Sequence, residues 1–319
     1  MVRVAVLDDY PGIARVAADY DGLGAEVVVF DAPIPAAERA ERLAPFDVLC
    51  LMRERTPLPG DLIAALPNLK LIVTTGMRNA AIDMAAAKAR GIAVCGTGSI
   101  GAPTAQLAML LILAAMRNLL PEVASMRAGG WQAEVGRDLV GLRLGLVGLG
   151  KQGAALAALA RPFGMEIVAW SQNLTEGRCA EVGVAHAGSL DALLETSDVV
   201  SIHLILSDRS RGLIGAREMG LMKPDALLVN TSRGPILDEA AILPALHAGR
   251  PGRVALDVYG AEPLPEDHPL RDPALIDSGR LLPTPHIGYA SRTNLEQMHR
   301  ETVEAIRGWM DGAMVRVIG

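Results

Sequence analysis

Aromatic side chains are scarce: Trp, Tyr and Phe together make up 3% of the 319 residues. The cores must therefore be built from Ala, Val, Leu and Ile, which a chain that is 50% hydrophobic supplies in quantity. Cysteine is equally sparse. Cys50, Cys95 and Cys179 are odd in number, far apart in sequence and form no C-x-x-C, which excludes a disulfide frame and fits a reducing cytoplasm. An excess of positive charge is also missing. With 30 basic against 36 acidic residues and a net charge of −6, nothing draws the chain to nucleic acid. An anionic ligand would need a local cluster of arginines. Long hydrophobic runs are absent as well. The longest suspect, LAMLLILAAM from Leu107 to Met116, is too short to span a bilayer and is flanked by Gln106, Arg117 and Asn118. The N-terminus, MVRVAVLDDY, lacks the apolar core of a signal peptide and reads as a first strand. Neither a membrane nor a metal site is expected.

What the chain does have is glycine at telling positions. From Leu142 to Gly153 it reads LRLGLVGLGKQG, an apolar strand pattern that turns through Gly148-Leu149-Gly150-Lys151-Gln152-Gly153 into the helix former AALAALAR. In a G-x-G-x-x-G turn the first glycine permits the tight bend. The second lets backbone approach a pyrophosphate, and the third lets helix pack on strand. The pyrophosphate would meet the helix N-terminus, where unpaired N–H groups favour an anion. The six-residue pattern is weak alone; a strand before it and a helix after it make it a dinucleotide signature.

The length suggests two domains. The first hundred residues alternate strands (Val2–Leu7, Glu26–Phe30, Asp47–Met52, Leu69–Thr75, Ile92–Cys95) with helices (Ile13–Asp19, Ala36–Leu43, Asp61–Leu66, Ile82–Arg90). That alternation predicts a parallel sheet covered on both faces, with ligands at the carboxyl ends of the strands. Two such ends carry arginine, at Arg53 and at Gly76-Met77-Arg78. One arginine after a strand reads most simply as a solvated loop charge; two in neighbouring loops point to an anion site. Gly101 to Leu120 reads as one long apolar helix, and Pro121 to Gly141 as a glycine-broken connection. Beyond the glycine turn, strands are expected at Glu166–Trp170, Asp198–Leu204, Ala226–Thr231 and Val254–Tyr259, and a closing helix at Arg292–Met310.

Arg233, Glu262 and His286 each follow a strand in this second half. Singly, each has a plainer reading: a strand cap, a turn residue and a loop histidine. Together, the segments GLVGLGKQG, LMKPDALLVNTSRGPILDE, ALDVYGAEP and TPHIGY resemble those of the D-isomer-specific 2-hydroxyacid dehydrogenases. That family includes 3-phosphoglycerate dehydrogenase, glyoxylate reductase and D-lactate dehydrogenase. The resemblance covers nearly the whole chain, and the catalytic segments are more specific than the glycine turn. It implies an α/β fold of two Rossmann-like or flavodoxin-like domains with parallel sheets and a cleft between them. Residues 1–99 with 284–319 would form a discontinuous substrate domain, and 100–283 the dinucleotide-binding domain.

The implied reaction is hydride transfer between a nicotinamide cofactor and a small 2-oxo or D-2-hydroxy acid. Arg233 would clamp the substrate carboxylate with its planar fork and polarise the carbonyl. His286, paired with Glu262, would give a proton to the carbonyl oxygen or take it back. By the same resemblance Asp257 would contact the nicotinamide carboxamide, Thr231 and Ser232 would pass beside the ring, and His203 would lie in the cofactor site. Arg53, Gly76, Met77 and Arg78 would line the substrate entrance. A homodimer through the cofactor domain would place the segment 121–141 at an interface. No regulatory domain is expected after Gly319.

One departure bears on the cofactor, NAD or NADP. The second strand ends in Trp170-Ser171-Gln172-Asn173, with Ser171 where an NAD site usually carries an acid, and Gln172 beside it. The anion that repels NADP is gone, while the nearest following arginine is Arg178. Gln106 and Ile205 also depart from common family residues, a glutamate and a proline. A reading from another class is a dinucleotide-sensing corepressor, which shares the fold. Formate dehydrogenases place glutamine beside the histidine, and Glu262 argues against that branch.

Overall fold

The computed structural model describes residues 1–318. Its strands are short, and the central ones are apolar and buried on both faces, as parallel strands under helices must be. Five form the first sheet: β1 (Arg3–Val6), β2 (Glu26–Val29), β3 (Val48–Leu51), β4 (Leu71–Thr74) and β5 (Ala93–Gly96). All pair in parallel in the order β2-β1-β3-β4-β5, the flavodoxin-like order. The second sheet comprises β6 (Arg143–Val147), β7 (Glu166–Trp170), β8 (Ala185–His186), β9 (Val199–Ile202), β10 (Leu227–Asn230), β11 (Arg253–Leu256) and β12 (Leu281–Pro283). Its order, β12-β11-β10-β9-β6-β7-β8, is the doubly wound Rossmann order with one further strand, again wholly parallel.

The chain divides into two compact units: residues 1–100 together with Ser291 onward, and Gly101–Ala290. In the first, the 19-residue helix Arg292–Met310 lays Val303, Ala305 and Ile306 on Val4, Val6 and Val73 of the sheet. The second crossing falls after Ala290, not before Thr284 as the sequence suggested. The turn 286–289 stays with the second unit because Asp257 accepts hydrogen bonds from its backbone (Ile287 N, 2.8 Å; Gly288 N, 2.8 Å).

Several local expectations shift. The helix from Gly101 to Leu120 is two helices, Ala102–Met116 and Leu119–Arg127, meeting at 61°. Asn118, at φ 51°, makes the break, and its side chain accepts from Arg253 and donates to the Val135 carbonyl. Pro121 does not mark a connection there. It sits in the first turn of the second helix, where its missing N–H costs nothing. The helix expected from Ile82 begins at Met84 because the Asp83 carboxylate caps it, accepting from Ala86 N at 2.9 Å. The two-residue strand β8 is too short to show in the pattern. Among the described residues no single helix is long and apolar enough to cross a membrane.

Each sheet also has an aspartate at the amino ends of its strands. Asp47 accepts from Arg3 N at 2.9 Å and from Lys70 Nζ at 2.8 Å. Asp198 accepts from Arg143 N at 2.8 Å and from Lys223 Nζ at 2.9 Å, with Arg137 at 3.5 Å. Burial opposes charge on Asp198. The Arg143 N–H and the Lys223 and Arg137 cations outweigh it and hold the carboxyl below its ordinary 3.8. A depressed folded-state pKa means that this stabilisation is complete above the ordinary value and is lost as pH falls through the folded one. Asp198→Asn should therefore cost about 1–3 kcal/mol at neutral pH. In urea unfolding, the gap between variant and wild type should close as pH drops below about 4. A gap that persisted unchanged in acid would show that the ion pairs contribute nothing.

Candidate active site

At the carboxyl end of β10 the chain runs Asn230-Thr231-Ser232-Arg233-Gly234. Asn230 holds this loop from both sides, donating to Arg233 O at 2.9 Å and accepting from Ser232 N at 3.0 Å. The Ser232 hydroxyl donates to the Leu204 carbonyl, and Arg233 Nη1 to Ser232 O at 2.8 Å. Gly234 presses against the loop after β11: a Cβ there would lie 2.0 Å from the carbonyl carbon of Tyr259 and 2.6 Å from Gly260 N. Only glycine allows that approach, and it brings the arginine loop against the glutamate loop.

Glu262 is fixed by both oxygens. Oε1 accepts from Tyr259 N at 2.9 Å, and Oε2 lies 2.5 Å from His286 Nδ1. The pair is mostly buried, at 14% and 21% side-chain exposure. His286 sits at φ 53°, a region that non-glycine residues occupy at a cost of about 1–3 kcal/mol. The Tyr289 ring meets the imidazole edge-on at 5.5 Å. Beneath them Asp257 is 1% exposed. Its Oδ1 accepts from Thr284 Oγ1 (2.7 Å) and Ile287 N (2.8 Å), and its Oδ2 from Gly288 N (2.8 Å). Burial pushes its carboxyl up, while these donors and His286 pull the other way. Asp257 thus acts as the anchor of the histidine turn, a role the sequence did not suggest.

The glycine turn lies at the end of β6. Gly148 has φ 108°, and a Cβ on it would meet His203 O at 2.8 Å. A Cβ on Gly153 would strike Gly148 O at 2.2 Å, whereas Gly150 faces open space before the helix Lys151–Ala160. Leu149 is buried, and Lys151 is exposed at the first helical position. The buried Gln152 Oε1 and Thr231 Oγ1 have no hydrogen-bond partner among the described residues. An open backbone cradle at a helix start, with an unpartnered hydroxyl and amide oxygen beside it, suits a bound dinucleotide. His203, at the end of β9, bonds Ser201 Oγ through Nε2 at 2.9 Å. The residue as a whole is half-buried, yet desolvation of the ring lowers its pKa to about 4, so it stays neutral at neutral pH.

Ser171 emerges beside the glycine turn, because Gly148 N donates to Trp170 O at 2.8 Å. Gln172 and Asn173 meet Arg209, from the loop after β9. Arg178 pairs with Glu181 on its own helix at 3.0 Å. In the first unit, Arg53 stands at φ 55° with its guanidinium against Gly76, and Asn79 ties Arg53 O to Thr74 Oγ1. Met77 and Arg78 are exposed and line a pocket of about 290 Å³ with Ile82 and Ile318. Sequence reasoning missed Glu239, which accepts from Gly260 N at 2.7 Å and pairs with His268 at 3.0 Å. Nothing in the local pattern marks it, since both partners lie more than twenty residues away.

The second sheet thus carries an open glycine turn after its first strand and a glutamate–histidine pair after its sixth and seventh, the layout of a doubly wound nucleotide-binding fold. Residues 109–288 match the model of the NAD-binding domain of the D-isomer specific 2-hydroxyacid dehydrogenases. The chain belongs to that family. It is 35% identical over 263 residues to a hydroxypyruvate reductase of Thermotoga maritima, covering 82% of this chain and 83% of that one. To a D-3-phosphoglycerate dehydrogenase of Mycobacterium leprae it is 30% identical over 273 residues, 83% of this chain. It spans 49% of the length of that relative and 62% of another. The solved structure of a phosphoglycerate oxidoreductase from Vibrio cholerae O395 superposes with a TM-score of 0.91 at 34% identity, covering 98% and 100% of the two chains.

The Gly234 contact gives a direct test of the geometry. Gly234→Ala must push the arginine and glutamate loops apart, and a shift of about 1 Å can cost roughly 100-fold in rate. We expect a loss of turnover of that order, larger than the fall in melting temperature alone would explain. Full turnover in a folded variant would show that the two loops need not touch.

Proposed function

We propose that the protein transfers hydride between a nicotinamide dinucleotide and a small 2-oxo or D-2-hydroxy acid. The observation that carries this reading is the 2.5 Å contact between His286 Nδ1 and Glu262 Oε2, buried beside the Arg233 loop in a chain of this family. Gly148 to Gly153, with Thr231 and Ser232, would hold the dinucleotide, and the bound cofactor supplies or accepts the hydride. Reducing a 2-oxo acid builds negative charge on the carbonyl oxygen. His286 Nε2 gives that oxygen a proton, and takes it back in the reverse direction. Glu262 fixes the ring through Nδ1 and stabilises the imidazolium, and Asp257 holds the turn that carries it. Arg233 binds the substrate carboxylate as a fork and polarises the carbonyl. By the family resemblance, Arg53, Gly76, Met77 and Arg78 contribute to substrate recognition.

A homodimer through the cofactor unit is supported by apolar side chains left on its surface, with Trp131 76%, Val135 94% and Val140 76% exposed. The test of the whole reading is a spectrophotometric screen of hydroxypyruvate, glyoxylate, pyruvate and phenylpyruvate with NADH and NADPH. Turnover of one or more supports the enzyme. Tight cofactor binding with none would favour a dinucleotide-sensing regulator.

On the substrate found, His286→Ala should lower turnover roughly 100-fold or more while cofactor binding persists. Glu262→Gln should do less harm. Arg233→Lys should not rescue function, because an ammonium cannot reproduce the fork, and we expect a loss of about 2–5 kcal/mol in kcat/KM. Arg53→Ala and Arg78→Ala should act mainly on KM. Near-normal turnover of His286→Ala would remove that residue from the mechanism.

Cofactor choice should respond to Ser171. A carboxylate at this strand end stands beside the 2′-phosphate of NADP and can accept from the ribose hydroxyls of NAD. Ser171→Asp should lower the efficiency with NADPH about tenfold to hundredfold and hold or raise that with NADH. An unchanged ratio would place the reading of the ribose elsewhere.

A further inference from the structure

The end of β7 has a basic neighbour that sequence order conceals. Arg209 lies 37 residues beyond Gln172, in the loop after β9, yet the two are clamped together. Gln172 Nε2 donates to Arg209 O at 3.0 Å, and Arg209 Nη2 donates to Gln172 Oε1 at 3.3 Å. The same Nη2 reaches Asn173 Oδ1 at 3.4 Å. The loop itself is a built turn. Ser207 N donates to Ser210 Oγ at 2.8 Å, that hydroxyl donates to Ile205 O at 2.8 Å, and Arg211 N donates to Ser207 O at 2.9 Å. The guanidinium is therefore held by two loops, while its side chain remains exposed.

Its partners are side-chain amides, whereas other arginines without a carboxylate, such as Arg161 and Arg271, donate to backbone carbonyls. The surface cations Arg3, Arg15, Arg143, Arg178 and Arg217 each pair with a carboxylate. Arg209 instead spends Nη2 on two neutral amide oxygens and has no ion pair among the described residues. The donors on Nε and Nη1 make no hydrogen bond there. Side-chain amides are replaceable partners, and their own N–H groups can also turn to an anion. Beside this cation stands Ser171, a small hydroxyl in the position from which an acid would repel phosphate.

Resting on the dehydrogenase reading above, we propose that Arg209 binds the 2′-phosphate of NADP(H), with Ser171, Gln172 and Asn173 completing the anion site. A doubly charged phosphate is a far stronger acceptor than two amide oxygens, and the guanidinium fork matches its geometry. The ribose of NAD, with a neutral hydroxyl at that position, gains nothing comparable. The protein accordingly binds NADPH in preference to NADH, and one side chain brought in from a different loop sets the preference.

Calorimetric titration of NADPH, NADH, 2′,5′-ADP and 5′-AMP into wild type and Arg209→Ala tests this without turnover. The two nucleotide fragments isolate the ribose subsite from the nicotinamide end. In Arg209→Ala, affinity for NADPH and 2′,5′-ADP should fall about tenfold or more, while NADH and 5′-AMP change less than about twofold. Added salt should weaken NADPH binding to wild type more than NADH binding. A melting curve matching wild type shows that the exposed substitution leaves the fold intact. An unchanged ratio of NADPH to NADH affinity, or equal losses for both, would overturn the assignment while leaving the dehydrogenase reading standing. Wild type that binds neither coenzyme would sink that reading, and this assignment with it.

Discussion

The histidine turn at the carboxyl end of the second sheet depends on one buried carboxylate. Asp257 gathers the Thr284 hydroxyl and the backbone N–H groups of Ile287 and Gly288, and so bends the chain around His286. Without it two N–H groups would lose their partner, at about 1–3 kcal/mol for the buried one on Gly288. The histidine would then be free to leave its positive-φ conformation. The Glu262 contact needs that conformation, and the Glu262 loop is placed in turn by Tyr259 N and by the Gly234 approach. The positive φ at His286 is thus held by hydrogen bonds to the two residues that follow it.

Both sheets divide their labour along the strands. Asp47 and Asp198 tie the amino ends together through neighbouring N–H groups and lysines. The carboxyl ends instead carry positive-φ residues, Arg53 and Gly76 in the first sheet and Gly148 and His286 in the second. The paired carboxylates and the strained turns therefore occupy opposite ends of the strands in each parallel sheet.

The fold was legible because its signals are local. Strand and helix alternate within a few residues of each other, and the glycine turn is contiguous. The arginine, glutamate and histidine segments could be read for a similar reason, as each sits in its own short motif. What escaped was set by partners distant in sequence. Asn118 breaks a helix because Arg253 takes its side chain. Ala290 rather than Pro283 closes the second unit because Asp257 holds the intervening turn. Arg209 could not be linked to Gln172 by any spacing rule, and the search for a basic residue after β7 had only Arg178 to offer, which Glu181 occupies.

The split of the first unit has a consequence for how the protein is made. Residues 101–290 are continuous and contain a complete seven-stranded sheet, so they can fold as soon as they leave the ribosome. The earlier-synthesised sheet must wait. One of its faces rests on Val303, Ala305 and Ile306, and its Gly96 and Val94 edge on Arg316 and Ile318. During translation the first hundred residues therefore expose an apolar face for the time needed to add some two hundred more. Of the two units, the one begun first is completed last, and it is there that a chaperone would find its client.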